Sequence, residues 1–262
     1  MKRNAGSGYG AARSRDLLKN TVCVAVFAAL AYAVTFVFRL QVSSFLTFDA
    51  KDAVITVAAM YFGPLAAGAM ALIAALLELV TVSGTGLYGF EMNFVSSFAF
   101  AGIASLIYRW RRTAAGSVIG VISGTVGMTG VMLLMNLWIT PLYMSAPREV
   151  VISLIPTLLL PFNLLKGMLN AALTLFLYKP FSTALKAAGF HPTGRAANRP
   201  TPPPVLANAE GQPDETAPAR CEKDPGADGF RPRRTAVLMA LAFVMLAIGI
   251  VGILLLKARS GS

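Results

Sequence analysis

A lysine and two asparagines lie within an apolar segment long enough to cross a membrane. Asn163 and Lys166 are three residues apart and Asn170 follows four residues later, so their side chains share one face of a helix, which Thr174 continues. An ionisable side chain at bilayer depth costs about 2.5–3.5 kcal/mol on insertion scales, and such residues usually face a cavity or a pathway. We therefore interpret this polar stripe as one wall of a binding site.

The composition is that of a polytopic membrane protein. Of the 262 residues, 56% are hydrophobic and 13% are charged, whereas an ordinary soluble domain has about 25% charged residues. Cys23, Cys221 and the single His191 offer neither a disulfide framework nor metal-ligand spacing. A small membrane enzyme is an alternative that would depend on Asp49 and Asp52, but their spacing is also that of a solvated helix start. The chain has no G-x-x-x-x-G-K-[ST] motif, so it is not predicted to be an ATPase by that route.

The net charge of +11 does not indicate nucleic-acid binding, because the basic residues cluster at the ends of apolar runs and in the C-terminal segment. Clusters of this kind mark the cytoplasmic connections of membrane proteins. They are Lys2, Arg3, Arg13, Arg15 and Lys19 before the first run, Arg109, Arg111 and Arg112 between the fourth and fifth, and Lys179 and Lys186 after the sixth. The other connections, which hold Arg39, Lys51 and Arg148, are predicted to face outward.

The apolar runs predict four regions along the chain: a basic cytoplasmic leader (1–20), a six-helix membrane domain (21–189), a Pro-rich disordered linker (190–234), and a seventh membrane helix with a short tail (235–262). The six core helices are predicted at 21–38, 52–62, 65–80, about 91–112, 115–139 and 161–178. Outward loops are predicted at 83–89 and 144–160. The first of these loops contains a G-x-G-x-x-G pattern, but it lacks the βαβ context that dinucleotide binding requires.

Two predicted helices carry small residues at four-residue spacing. They are Ala25, Ala29 and Ala33 in the first helix, and Gly116, Gly120 and Gly124 in the fifth. Such surfaces allow another helix to approach closely. For the alanines, this pattern alone leaves open whether the neighbouring helix belongs to the same chain or to a partner.

The second half of the fifth helix changes in character. Thr129, Met132 and Asn136 follow one side of it, with Met128 and Met135 beside them. An amide both donates and accepts hydrogen bonds, and a thioether packs favourably on aromatic rings. This combination suits a flat heteroaromatic ligand, although Asn136 can also be interpreted as a structural residue near a helix end.

Four short motifs make the segment from about 17 to 186 resemble the substrate-binding S component of energy-coupling factor (ECF) transporters, and the riboflavin-specific branch in particular. The motifs are Phe48-Asp49-Ala50-Lys51-Asp52-Ala53, Phe62-Gly63-Pro64-Leu65-Ala66-Ala67-Gly68, Thr140-Pro141-Leu142-Tyr143 and Pro161-Phe162-Asn163-Leu164-Leu165-Lys166. The Gly-Pro turn is shared by S components generally, whereas the last two motifs together indicate a flavin. The predicted seventh helix departs from the six-helix pattern of that family.

The resemblance implies an all-α membrane bundle with a vitamin bound near the outer surface, under the loop between the first two helices. It assigns Asn136, Asn163 and Lys166 to the flavin pocket. Leu46, Thr47 and Phe48 of the covering loop, together with Thr129, complete the predicted substrate-binding set. Phe48, Trp138 and Tyr143 are candidates to cover the apolar end of the flavin. An S component for another vitamin or a small aromatic solute is the alternative.

The resemblance also implies partners and a location. Ala25, Ala29 and Ala33 are expected to contact a transmembrane coupling (T) subunit, which acts with two ABC-type ATPase subunits to release the vitamin inward. The expected location is the bacterial cell membrane, in contact with the lipid bilayer and without nucleic acid. No cofactor is predicted, since riboflavin is the transported substrate. A purely structural or assembly subunit is disfavoured by the intramembrane Asn and Lys residues.

Overall fold

The computed structural model describes residues 6–42, 46–82, 84–145, 147–188 and 232–260. These residues are almost entirely helical, which confirms the predicted all-α class. The elements are α1 (Gly6–Val37), β1 (Arg39–Gln41), β2 (Thr47–Asp49), α2 (Lys51–Phe62), α3 (Pro64–Thr81), α4 (Gly86–Trp110), α5 (Ala114–Met144), α6 (Arg148–Leu154), a π-helical turn (Ile155–Leu159), α7 (Leu160–Ala187) and α8 (Pro232–Ser260).

The helices are those of a multi-pass membrane protein. Five segments are long and apolar enough to cross a bilayer: Leu17–Val37, Pro64–Thr81, Gly86–Trp110, Ala114–Met144 and Arg148–Leu185. Helix α2 is shorter, but every residue in it except Phe62 is buried, so its neighbours shield it from the surroundings. Helix α8 contains a shorter apolar stretch, Ala242–Leu256.

Two of the predicted loops are wrong in part. Helix α4 begins at Gly86, inside the predicted loop 83–89, where a positive φ of 59° at Gly86 turns the chain into the helix. Most of the predicted loop 144–160 is helical, because α6 and the π-helical turn lead directly into α7. Pro156 and Pro161 have no N–H to donate, and a wider turn, in which Leu160 N bonds to Ile155 O, carries the helix through this region.

The two chain ends also differ from the predicted boundaries. Helix α1 begins at Gly6, within the predicted leader 1–20. Helix α8 begins at Pro232, within the predicted linker 190–234, and residues 190–231 of that linker lie outside the described residues. Helix α8 packs antiparallel to α7: Gly249 meets Leu169, and Gly252 meets Leu165.

A small hairpin closes one end of the helical bundle. Strands β1 and β2 pair antiparallel with Arg39 opposite Asp49 and Gln41 opposite Thr47. Buried side chains anchor the hairpin: Val42, which follows β1, and Leu46 and Phe48 pack in one cluster with Phe162 of α7. We call this end of the bundle the hairpin end. It is the end that the distribution of basic residues predicts to be outside.

Helices α4 and α5 approach each other closely where α5 has glycines. A Cβ atom built at Gly120 would lie 2.7 Å from the carbonyl oxygen of Ala104, and one at Gly124 would lie 2.8 Å from that of Phe100. Both distances are shorter than a van der Waals contact. The predicted glycine face of this helix is therefore confirmed at Gly120 and Gly124, and it holds α5 against α4.

We predict that Gly120→Ala destabilises the protein, because the new methyl group meets backbone rather than a movable side chain. Overpacking of this kind typically costs about 1–3 kcal/mol. Gly130→Ala is the matched control on the same helix, since a Cβ atom there has nothing within 4 Å. Thermal unfolding in detergent measures both variants. Equal melting temperatures for the two variants would contradict the close approach.

Candidate ligand-binding site

A cavity of about 360 Å³ opens at the hairpin end of the bundle. It lies within the range of about 300–1,000 Å³ that is usual for small-molecule sites. Its walls come from α1, the hairpin, α3, α4, α5 and α7. Polar, charged and apolar side chains all line the cavity. They include Thr35, Arg39, Leu46, Thr47, Asp49, Glu78, Tyr88, Asn93, Ser96, Met132, Asn136, Thr140, Tyr143, Phe162, Asn163 and Lys166.

Five of the seven predicted substrate-binding residues line this cavity: Leu46, Thr47, Asn136, Asn163 and Lys166. They come from the hairpin, from α5 and from α7, which are far apart in the sequence. The fold thus brings together the amides and the ammonium group that the sequence identified separately. The residues line a cavity, although whether a ligand touches them stays a prediction.

The other two predicted residues do not line the cavity. Phe48 is buried in the apolar cluster beneath the hairpin. Thr129 is buried two helical turns from Asn136, and its hydroxyl donates to the carbonyl oxygen of Thr125. Among the aromatic candidates, Trp138 is 76% exposed, whereas Tyr143 lines the cavity and makes an edge-to-face contact with Tyr88.

The two asparagines are held by their own helices. The side-chain amide of Asn136 donates to Met132 O at 2.7 Å, and its oxygen accepts from Thr140 Oγ1 at 2.9 Å. Asn163 donates in the same way to Leu159 O at 2.8 Å. Because an amide group has two N–H donors and two acceptor lone pairs, these bonds fix each side chain and leave hydrogen-bonding capacity for a ligand.

A cluster of buried charges forms part of the cavity wall, because Asp49, Glu78 and Lys166 line the cavity. Lys51 Nζ lies 2.6 and 2.7 Å from the two carboxylate oxygens of Glu78 and 3.7 Å from Asp49 Oδ2. Lys166 Nζ lies 3.7 Å from Asp49 and 3.8 Å from Asp52. All five side chains are at most 7% exposed. We call these five residues the ionic cluster.

The ionic cluster connects four elements of the fold. Asp49 ends β2, Lys51 and Asp52 begin α2, Glu78 lies on α3, and Lys166 lies on α7. Asn170 adds a further tie, because its amide donates to the backbone oxygen of Asp49 at 3.2 Å. Burial by itself raises the pKa of Asp49, but attraction to Lys166, Lys51 and Arg39 outweighs it and lowers the pKa below its usual value. Asp49 is therefore ionised at neutral pH.

Several lining residues were not identified from the sequence. Glu78 lies near the end of α3, and it is 5% exposed and paired with Lys51 in the ionic cluster. The cost of an ionisable group in an apolar helix singled out Lys166, and the same argument applies to Glu78. Ser96 and Asn93 carried no comparable signal, because neither side chain is ionisable and neither belongs to a motif of the resemblance.

The alanines of α1 lie away from the cavity. Ala25, Ala29 and Ala33 are exposed, whereas Phe27 and Ala28 on another side of the helix are buried in the core. The small-residue face therefore points outward from the bundle. The structure places no helix of the described part of this chain over these alanines, so their role in docking a partner remains a prediction.

Comparison with known proteins gives three consistent matches. The family model described as "ECF transporter, substrate-specific component" matches residues 19–178. The riboflavin transporter RibU of Staphylococcus aureus (strain TCH60) is 28% identical over 176 residues, which cover 64% of this chain and 93% of that protein. A solved structure reported as the S component of a bacterial ECF transporter is similar with a TM-score of 0.56 and 28% identity, over 65% of this chain and 99% of the other.

We predict that Lys51→Met strongly destabilises the protein, because it leaves the buried carboxylate of Glu78 without its cation. Breaking a buried ion pair from one side typically costs about 3–5 kcal/mol. Chemical or thermal unfolding in detergent measures the loss.

The double variant Lys51→Met/Glu78→Gln is the control, because it removes the charges of both partners and keeps an amide for Thr35 and Asn93. It should recover more than half of the lost stability. A single Lys51→Met variant as stable as the parent protein would show that the ion pair contributes little.

Proposed function

The chain belongs to the substrate-specific (S) components of ECF transporters, and from this membership we propose that it binds riboflavin at the hairpin end of the bundle. It is a binding component and not an enzyme. The observation that carries the proposal is the cavity in which Asn136, Asn163 and Lys166 converge from two helices. The relative named as a riboflavin transporter supports the choice of ligand.

The polar groups of the cavity suit the pyrimidine edge of an isoalloxazine ring. That edge alternates carbonyl acceptors with one N–H donor, and an asparagine amide can satisfy either kind of group. The ammonium group of Lys166 can donate to a carbonyl oxygen or a ring nitrogen. Its charge is balanced by Asp49 and Asp52, so it acts as a hydrogen-bond donor without adding an uncompensated positive charge to the site.

The apolar groups of the cavity suit the rest of the ring system. Met132 and Phe162 line the cavity beside the two asparagines, and Tyr88 and Tyr143 form an aromatic pair that also lines it. Aromatic and thioether side chains pack well on a flat ring. A polar edge together with apolar faces favours a heteroaromatic vitamin over a sugar or an inorganic ion.

Transport requires partners that supply energy. We propose that the exposed face at Ala25, Ala29 and Ala33 contacts a transmembrane coupling (T) subunit, which acts with two ABC-type ATPases. Small side chains let a second helix approach closely within the bilayer. The protein would then work in a bacterial cell membrane, capture the vitamin outside, and release it inward when the ATPases act.

We predict that the full-length protein, purified in detergent, quenches riboflavin fluorescence in a saturable manner at one site per chain. The same titration with thiamine and biotin tests the alternative that the ligand is another vitamin. A folded sample that leaves riboflavin fluorescence unchanged would overturn the assignment of the ligand.

The Asn163→Ala variant locates the site in the same titration. Leaving a buried ligand group unpaired costs about 1–3 kcal/mol, so riboflavin affinity should fall about fivefold to 150-fold. This residue is a cleaner choice than Lys166, because replacing Lys166 would also disturb Asp49 and Asp52. Unchanged affinity in Asn163→Ala would remove the amide from the site.

We predict that Ala29→Trp abolishes riboflavin uptake by cells that contain the coupling subunits but leaves riboflavin binding intact. The bulky ring would block close helix contact on the exposed face of α1, far from the cavity lining. Ile122→Trp, at an exposed position on α5, is the matched control and should transport normally. Normal uptake by Ala29→Trp would contradict docking through this face.

A further inference from the structure

Helices α1, α3 and α4 contribute polar side chains to the cavity in addition to the asparagines of α5 and α7. Glu78, Asn93 and Ser96 line it from α3 and α4, and Thr35 lines it from α1. Asn93 Nδ2 donates to Glu78 Oε2 at 3.0 Å, and Thr35 Oγ1 donates to Glu78 Oε1 at 3.3 Å. Asn93 and Thr35 are thus bound to the carboxylate of Glu78, whereas Ser96 is not bound to it.

Two residues that line the cavity each contain a buried oxygen that has no hydrogen-bond partner among the described residues. These oxygens are Ser96 Oγ and Asp49 Oδ1, and their residues are 2% and 3% exposed. A buried polar group without a partner is unfavourable. Because both residues line the cavity, a bound ligand is a natural source of the missing hydrogen bonds.

The chemistry of these two atoms defines the ligand group that fits them. A carboxylate oxygen only accepts hydrogen bonds, whereas a serine hydroxyl can donate one and accept others. An alcohol satisfies both, since each hydroxyl of a polyol donates once and accepts as well. A carbonyl or an ionised phosphate group has no hydrogen-bond donor to offer the carboxylate oxygen of Asp49. A phosphate would also bring negative charge toward Asp49 and Glu78.

We propose that Ser96 and Asp49 form a subsite for the hydroxylated side chain of the ligand. This inference rests on the proposed function, in which the side chain is the ribityl group of riboflavin. The ribityl group is attached to the central ring and not to the pyrimidine edge. A ring whose pyrimidine edge is bound by Asn136 and Asn163 can therefore place this chain near α3 and α4. The amides recognise the ring, and Ser96 of α4 together with Asp49 of β2 recognises the chain.

The test compares riboflavin with lumiflavin, which has the same ring system but a methyl group in place of the ribityl chain. Full-length parent protein and the Ser96→Ala variant are titrated with each flavin by fluorescence quenching. Loss of one hydrogen bond should lower the riboflavin affinity of Ser96→Ala about fivefold to tenfold. Its lumiflavin affinity should stay within about twofold of the parent value, because lumiflavin has no hydroxyl to lose.

Ser105→Ala is the matched control. Ser105 is another buried serine of α4, but it donates to Gly102 O and does not line the cavity, so both affinities should be unchanged. Equal losses for both flavins in Ser96→Ala, or no loss for either, would overturn the subsite while leaving riboflavin binding established. A parent protein that binds neither flavin would overturn the proposed function and, with it, the subsite.

Discussion

The buried ion pair between Lys51 and Glu78 is the interaction on which the hairpin end of the molecule depends. Two charges removed from water are stable only when each has a close partner, and the 2.6 Å contact between these two side chains meets that condition. The remaining charges of the ionic cluster extend the constraint to β2 and α7, because Asp49 lies 3.7 Å from both Lys51 and Lys166. The position of the hairpin is thereby linked to the same helix that supplies Asn163 to the cavity.

The cavity is consequently formed by side chains that are already held in place. Asn136 and Asn163 are fixed by bonds to their own helices, and Lys166 is held by Asp49 and Asp52. A site that does not have to order its side chains on binding loses less entropy, and more of the interaction energy appears as affinity. Ser96 differs from this set, because its hydroxyl has no partner among the described residues.

The cavity and the exposed alanine face, for which we propose ligand capture and partner docking, are separate surfaces of the bundle. The cavity lies at the hairpin end, whereas the exposed alanines follow the outward side of α1, whose opposite side packs in the core with Phe27 and Ala28. Helix α8 adds a layer on the outside of α7 through Gly249 and Gly252. Since those glycines meet Leu165 and Leu169, which flank Lys166 in the sequence, α8 supports the helix that carries one wall of the cavity.

The sequence alone was sufficient to predict the all-α membrane class, the positions of the main helices, the glycine contact face of α5 and the family. These properties follow from local patterns, namely hydropathy over about 20 residues and small-residue spacing within one helix. It also identified Asn163 and Lys166, because an ionisable group within an apolar run is visible without a structure. The pairing of Glu78 with Lys51, 27 residues away, and the presence of Ser96 and Asn136 in the lining of one cavity became evident from the folded structure. Pairings between distant segments depend on how helices pack, and no local pattern in one segment encodes the partner that another segment provides.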